Sequence, residues 1–214
     1  MFSFHVMGFR VDVKQGFLVR CAIYALLYLQ ARTPIWVIAM WLAMVFVSIT
    51  LHELGHALAS RRLKVPVYEV FLWQLGGMVR HASTTPKNSL LISLAGPGIE
   101  LLVGLPALVV LWTVDLPYGP LYVFLRFWAY VNVFWALINL VPMFPLDGGN
   151  ALSSYLTWRH MGPSRARRTV GQVGVLSGTV IALGGYAYDG GMFWLLFGAY
   201  LAYWNYQIWQ QSSR

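Results

Sequence analysis

The segment Ile35–His56, IWVIAMWLAMVFVSITLHELGH, decides the fold. From Ile35 to Leu51 it holds nothing more polar than Ser48 and Thr50, and it then closes on His52-Glu53-Leu54-Gly55-His56. An apolar run of this length reads as a membrane-crossing helix. Residues four apart share one helix face, so His52 and His56 can bind one metal ion. Glu53 follows His52 by about 100° of helix rotation, which sets it beside such an ion as a proton acceptor for water. A histidine and an acid at membrane depth are costly and mark function. The pattern implies water chemistry inside a bilayer.

Composition agrees with a membrane protein. The 214 residues are 58% hydrophobic and only 10% charged, against about 25% charged in soluble domains. The class is an all-α polytopic membrane protein with about six transmembrane helices, plus a small membrane-associated β-hairpin region. The expected spans cover residues 17–31, 34–60, 89–114, 121–141, 169–186 and 192–209, in a single domain over 1–214. Alternation in Phe9-Arg10-Val11-Asp12-Val13-Lys14 predicts a short strand or hairpin at the membrane surface. Val65 to Phe71 is β-prone, and Gly76-Gly77 offers a turn or kink. A short helix is expected from Ala151 to His160. The single Cys21 excludes an internal disulfide. No cleavable signal peptide is expected.

The formal charge of +8 raises nucleic acid as a partner, but its placement argues for topology and against nucleic acid. With a cytoplasmic N-terminus, the inside collects Arg10, Lys14, Arg61, Arg62, Lys64, Arg80, Lys87, Arg159, Arg165, Arg167, Arg168 and Arg214. The outside keeps only Arg32, as the positive-inside rule requires. Both termini are therefore expected in the cytoplasm of a prokaryotic cell, with the chain in its cytoplasmic membrane. His52 precedes Arg61 by about 13 Å of helix, so a metal there lies within the inner leaflet.

Zinc hydrolases usually combine three protein ligands with one position for water. Candidates for the third ligand are Asp147, Glu100, His81, His5 and His160. Asp147 follows the inner end of the fourth span, at the depth of His52 and His56. Pro145 stops the helix there, and Gly148-Gly149 permits a backbone that aims the carboxylate inward. A helix-capping role for Asp147 is the alternative. Glu100, an acid within the third span, is expected to line a cavity or to pair with Arg126 of the fourth. Gly174 and Gly178 are spaced for close helix packing.

His52-Glu53-Leu54-Gly55-His56, Leu94-Ala95-Gly96-Pro97 and Asn139-Leu140-Val141-Pro142-Met143-Phe144-Pro145-Leu146-Asp147-Gly148 together resemble the site-2 protease family of intramembrane zinc metalloproteases. The resemblance implies an intramembrane zinc endopeptidase with one Zn2+ per chain, acting in regulated intramembrane proteolysis on membrane-protein substrates within the lipid bilayer. It assigns zinc binding to His52, His56 and Asp147, and water activation to Glu53. Asn139 matches an asparagine near the family's active site, with a role toward substrate or oxyanion. Gly76-Gly77 resembles the Gly-Gly of a membrane-associated hairpin, and the segment from Val65 to Met78 is expected to take substrate as an added strand. Glu100 departs from the Asn that many members carry after Ala-Gly-Pro. No PDZ or CBS domain is expected. Two other classes stay open: a catalytically silent metal-binding partner, against which intact Glu53 argues, and a metal-dependent transporter, against which the dry outer halves of the spans argue.

Overall fold

The computed structural model describes residues 2–74, 76–189 and 191–212. Leu75, within the expected substrate-strand segment, and Arg214, on the expected basic side, lie outside the described residues. The protein is mostly helical with one small sheet, and it divides into two compact units.

The first unit comprises Met1–Ser83 and Ala95–Ala136. It opens with strands β1 (Phe2–Val6) and β2 (Phe9–Val13). Met7 and Gly8 between them both have positive φ, +50° and +82°. That is the two-residue turn whose twist matches a hairpin. Helices α1 (Gln15–Gln30) and α2 (Ile35–Arg62) follow, then strands β3 (Val67–Trp73) and β4 (Gly76–His81). Most of α3 (Pro86–Thr113) and α4 (Pro120–Asn139) completes the unit.

The two β regions expected from the sequence are one sheet, in the order β1-β2-β3-β4. β2 and β3 run parallel, with Val11 opposite Val70 and Val13 opposite Leu72. The outer pairs are antiparallel hairpins. The period-2 pattern sends Val11, Val13, Val70 and Leu72 to one face, where they pack with Phe17 of α1 and with Ile49 and Ala57 of α2. Arg10, Asp12, Lys14 and Glu69 take the other side, with Lys14 Nζ 2.9 Å from Glu69 and Arg10 Nε 3.0 Å from Asp12. Such exposed pairs contribute at most about 1 kcal/mol each, so the buried valines and leucine hold the sheet on α2. Gly76-Gly77 is not a turn: both residues belong to β4.

α2 ends by geometry that its sequence does not announce. Lys64 sits at φ +58°, its N–H donates to the Arg61 carbonyl, and the Val65 N–H donates to the Ser60 carbonyl. This is the two-bond stop usually built around glycine. The same pattern ends α1 at Arg32, where Thr33 reaches Tyr28. Higher up, α3 and α4 approach closely: a Cβ on Gly104 would stand 2.9 Å from the Asn132 Cβ. Asn132 is fully buried and accepts a 3.0 Å hydrogen bond from Ser48 of α2. A polar pair of this kind ties apolar helices together by roughly 0.6 kcal/mol in membranes.

The second unit comprises Thr84–Leu94 and Leu137–Arg214. Its own elements are α5 (Asp147–Trp158), α6 (Pro163–Asp189) and α7 (Met192–Gln211). α6 begins six residues before the expected span, with Pro163 opening the helix as proline does at a first helical position. Arg165, Arg167 and Arg168 are thus helical. α6 and α7 run antiparallel in close contact. A Cβ on Gly171 would stand 2.9 Å from Trp209 N, and one on Gly178 would stand 2.6 Å from Ala202 N.

Among the described residues, four helices are long and apolar enough to cross a membrane: α2, α3, α4 and α6 (Pro163–Tyr188). α1, with 16 residues, rises about 24 Å.

Candidate metal centre

The two faces of α2 meet different neighbours. Ile49, Glu53 and Ala57 are spaced by four and form one stripe, with Ile49 and Ala57 packed on the sheet. Ser48, His52 and His56 form the next stripe, which faces α3 and α4. His52, Glu53 and His56 are all buried. The helix is enclosed all round at this level, which an amphipathic surface helix is not.

On the histidine stripe the backbones of α2 and α3 come together without side chains between them. A Cβ on Gly55 would lie 2.5 Å from the Ala95 carbonyl oxygen and 3.0 Å from the Gly96 Cα. One on Gly96 would overlap the His56 ring and lie 2.9 Å from His52 Nε2. Gly55 and Gly96 therefore leave room for two imidazoles side by side. His52 Nε2 and His56 Nε2 are 3.1 Å apart. Two nitrogens on one tetrahedral zinc at about 2.0–2.1 Å stand about 3.3 Å apart, so the pair fits a shared ion. The same distance suits an N–H···N bond between neutral rings, which a metal would replace by taking both lone pairs.

Glu100 fixes which nitrogen faces inward. It is fully buried on α3, and its Oε2 lies 2.9 Å from His52 Nδ1. A carboxylate at that distance favours the tautomer with its proton on Nδ1, which leaves the Nε2 lone pair for a metal. Pairing with Arg126 was one of the two expectations for Glu100. The acid sits instead against His52, and Arg126 is exposed. Position along the chain could not decide this, since both groups lie within spans.

Glu53 turns toward the sheet. A Cβ on Gly77 of β4 would overlap the Glu53 carboxyl group, so Gly77 is small because this side chain occupies the space. Gly76, at φ +147°, precedes it in a conformation only glycine adopts readily.

Asp147 belongs to the second unit and is described there. It is the first residue of α5, with Leu146 as the N-cap, so it is not the capping residue. An acid in a first helical turn is favoured by the helix dipole. Gly148 and Gly149 are helical, and a Cβ on either would collide with backbone: Leu140 and Val141 for Gly148, Met143 and Phe144 for Gly149. Their smallness serves close approach, not the unusual backbone expected from sequence. Asn139, half-buried, is the last residue of α4. Asn205 of α7 reaches back to the Phe144 peptide, a contact that a lone Asn in an apolar helix did not reveal.

The remaining ligand candidates have other places. His5 is exposed on β1, and His160 is exposed at φ +68° where α5 stops. His81 donates from Nδ1 to the Ala82 carbonyl at 2.8 Å.

Replacing Glu100 by Ala should leave His52 without its orienting partner and weaken zinc retention by about 10–100-fold. Competition with a chromophoric chelator measures this, and wild-type retention in Glu100→Ala would remove Glu100 from the centre.

The sequence matches the family model Peptidase family M50 over residues 40–118 and 115–181. It is 27% identical over 157 residues to a zinc metalloprotease of Methanocaldococcus jannaschii, a match covering 73% of this chain and 45% of that protein. It is 36% identical over 152 residues to Rip3 of Mycobacterium tuberculosis, covering 66% of this chain and 37% of that one. The chain thus spans less than half the length of these curated relatives. Among solved structures it resembles a site-2 protease from Methanocaldococcus jannaschii, with a TM-score of 0.65 at 23% identity, over 97% of this chain and 95% of the other.

Proposed function

As the chain belongs to peptidase family M50, the site-2 protease family, we propose that it is an intramembrane zinc endopeptidase. Its substrates are transmembrane or membrane-tethered proteins, cut near the cytoplasmic leaflet. The observation that carries this reading is the pair of buried imidazole nitrogens 3.1 Å apart, with Glu53 on the adjoining stripe of the same helix. His52, His56 and Asp147 each offer one ligand atom. Two imidazoles and a carboxylate are a donor set of catalytic zinc. When bound, zinc supplies Lewis acidity toward a peptide carbonyl and lowers the pKa of water. Glu53 accepts the proton of the attacking water and passes it to the leaving amine nitrogen. Asn139 donates a hydrogen bond to the carbonyl oxygen as negative charge grows on it. Gly77 keeps the space that Glu53 needs to change partners.

Two relations within the units support six spans. β2 and β3 lie side by side and parallel, so α1 and α2 together leave one level and return to it. If α2 crosses, α1 crosses too, and its short rise is met by local thinning of the bilayer. Likewise α7 runs back along α6 over its length. With the excess of Lys and Arg on one side, this supports a cytoplasmic location for both termini.

The sheet also supports a docking place for the substrate. β3 is covered on both edges, whereas β4 is an edge strand, so an added strand docks on β4, beside Glu53. Proteolysis needs an extended peptide, and main-chain pairing at an edge supplies one with little demand on sequence.

Three outcomes test the reading. Glu53→Gln should keep zinc near one per chain and lose proteolysis of a membrane-tethered reporter by orders of magnitude, while Asp147→Ala should lose zinc to a chelator. Turnover by Glu53→Gln would end the proposed mechanism. Reporter fusions at the C-terminus and within 115–119 should lie on opposite sides of the membrane, and same-side signals would overturn the span count. Along β4 successive N–H groups alternate between β3 and the free edge, so one of Met78→Pro and Val79→Pro spares the sheet. That variant should raise KM with zinc content unchanged. Unaltered cleavage in both would exclude strand addition at this edge.

A further inference from the structure

The segment leading into Asp147 is gripped by a side chain from the last helix. Asn205 is fully buried. The Phe144 N–H donates to Asn205 Oδ1 at 3.0 Å, and Asn205 Nδ2 donates to the Phe144 carbonyl at 2.7 Å. Its other Nδ2 proton goes to the Leu201 carbonyl at 2.9 Å. Both protons and the oxygen of the amide are thus used. A side-chain amide bonded to both backbone polar groups of one residue copies the pairing of a β-ladder across two successive peptide groups, and it fixes orientation as well as position.

The space for this grip comes from α6. A Cβ on Gly174 would overlap the Asn205 side chain, and one on Gly171 would stand 3.0 Å from the Asn205 carbonyl oxygen. The Arg167 guanidinium, also on α6, lies over the Phe144 ring at 5.4 Å. Two residues, Pro145 and Leu146, separate Phe144 from Asp147, and they leave little slack. Leu146 N–H donates to the Met143 carbonyl at 3.0 Å, and Gly149 rests against Met143 and Phe144. A shift of the Phe144 peptide is therefore passed to the first turn of α5.

We propose that Asn205 is a positioning residue for Asp147: its two bonds to the Phe144 peptide set where the Asp147 carboxylate stands. This rests on the reading of Asp147 as a zinc ligand. The polar atoms of Asn205 go to the loop and to its own helix, so the residue is spent on the loop and not on joining α6 to α7. Ligand groups must be held within about 0.5 Å of their working geometry, and a loop residue needs such a brace.

The test uses the full chain in nanodiscs, with Asn205→Ala, Asn205→Ser, Leu201→Ala and Asp147→Ala beside wild type. Leu201 is buried on the same helix and controls for lost packing. Asn205→Ala should release zinc to a chelator about 10–100-fold faster, lower kcat with KM unchanged, and speed amide exchange in residues 140–147. Asn205→Ser should move the same way, and serves if the alanine variant does not assemble. Leu201→Ala should lower the thermal midpoint at least as far and release zinc at the wild-type rate. Wild-type zinc release from both Asn205 variants, or equal loss from Leu201→Ala, would overturn the proposal. If Asp147→Ala also holds zinc like wild type, the ligand reading falls and the proposal with it. If Asp147→Ala loses zinc and the Asn205 variants do not, only the proposal falls.

Discussion

A helix turns about 100° per residue, and at the inner end of α2 that fixed angle sorts the chemistry. One stripe, Ser48-His52-His56, meets α3 and α4. The next, Ile49-Glu53-Ala57, meets the sheet. The histidines proposed to bind metal and the acid proposed to accept a proton are thereby held on one helix but served by separate surroundings. The histidines receive an orienting carboxylate from Glu100, and Glu53 receives a glycine-lined strand. No loop motion is needed to keep the two roles apart, and the cost of burying three polar side chains at this level is met by neighbours on each stripe.

Absent side chains do much of this work. Gly55 lets α2 reach the backbone of α3, Gly96 leaves room for the imidazoles, and Gly77 leaves room for Glu53. In the second unit Gly148 and Gly149 let the start of α5 press on the loop before it. Larger residues would have to displace backbone at Gly55, Gly148 and Gly149, and the histidine or glutamate side chains at Gly96 and Gly77. Apolar packing elsewhere tolerates exchange of similar volumes, but these positions have no volume to exchange. The motifs around the histidines and the aspartate are short because each encodes one close approach.

Much of this was legible in the sequence, and the rest was not, for reasons that differ by residue. The His52–His56 spacing and the apolar runs follow from helix periodicity and needed no structure. The strands at 9–13 and 67–73 showed in their alternation and β-branching, but their parallel pairing depends on two intervening helices that no local pattern reports. Four of the six expected spans stand out by length and apolarity; α1 falls short in length, and α7 carries Asn205, Gln207, Gln210 and Gln211 among its aromatic residues. Gly76-Gly77 offers a turn, a kink or a close approach by sequence alone; both residues lie in β4, and the close approach at Gly77 is to Glu53. Glu100 could be given a partner only in space. Asn205 left no trace, since one amide in an apolar helix looks the same whether it grips a loop or faces lipid.

The parallel pairing of β2 with β3 also imposes an order of assembly. These strands are neighbours in the sheet, yet the chain between them runs through the whole of α1 and α2. Contacts of that separation form only after the intervening chain has been arranged. The His-Glu pair is therefore made and inserted before the sheet that covers Glu53 can close. A nascent chain carries its acid and its histidines first and completes the surroundings of the acid last. The hairpin of β1 and β2, translated before the two helices that follow it, is then a late-acting part: it joins the rest of the sheet only when β3 returns beside it.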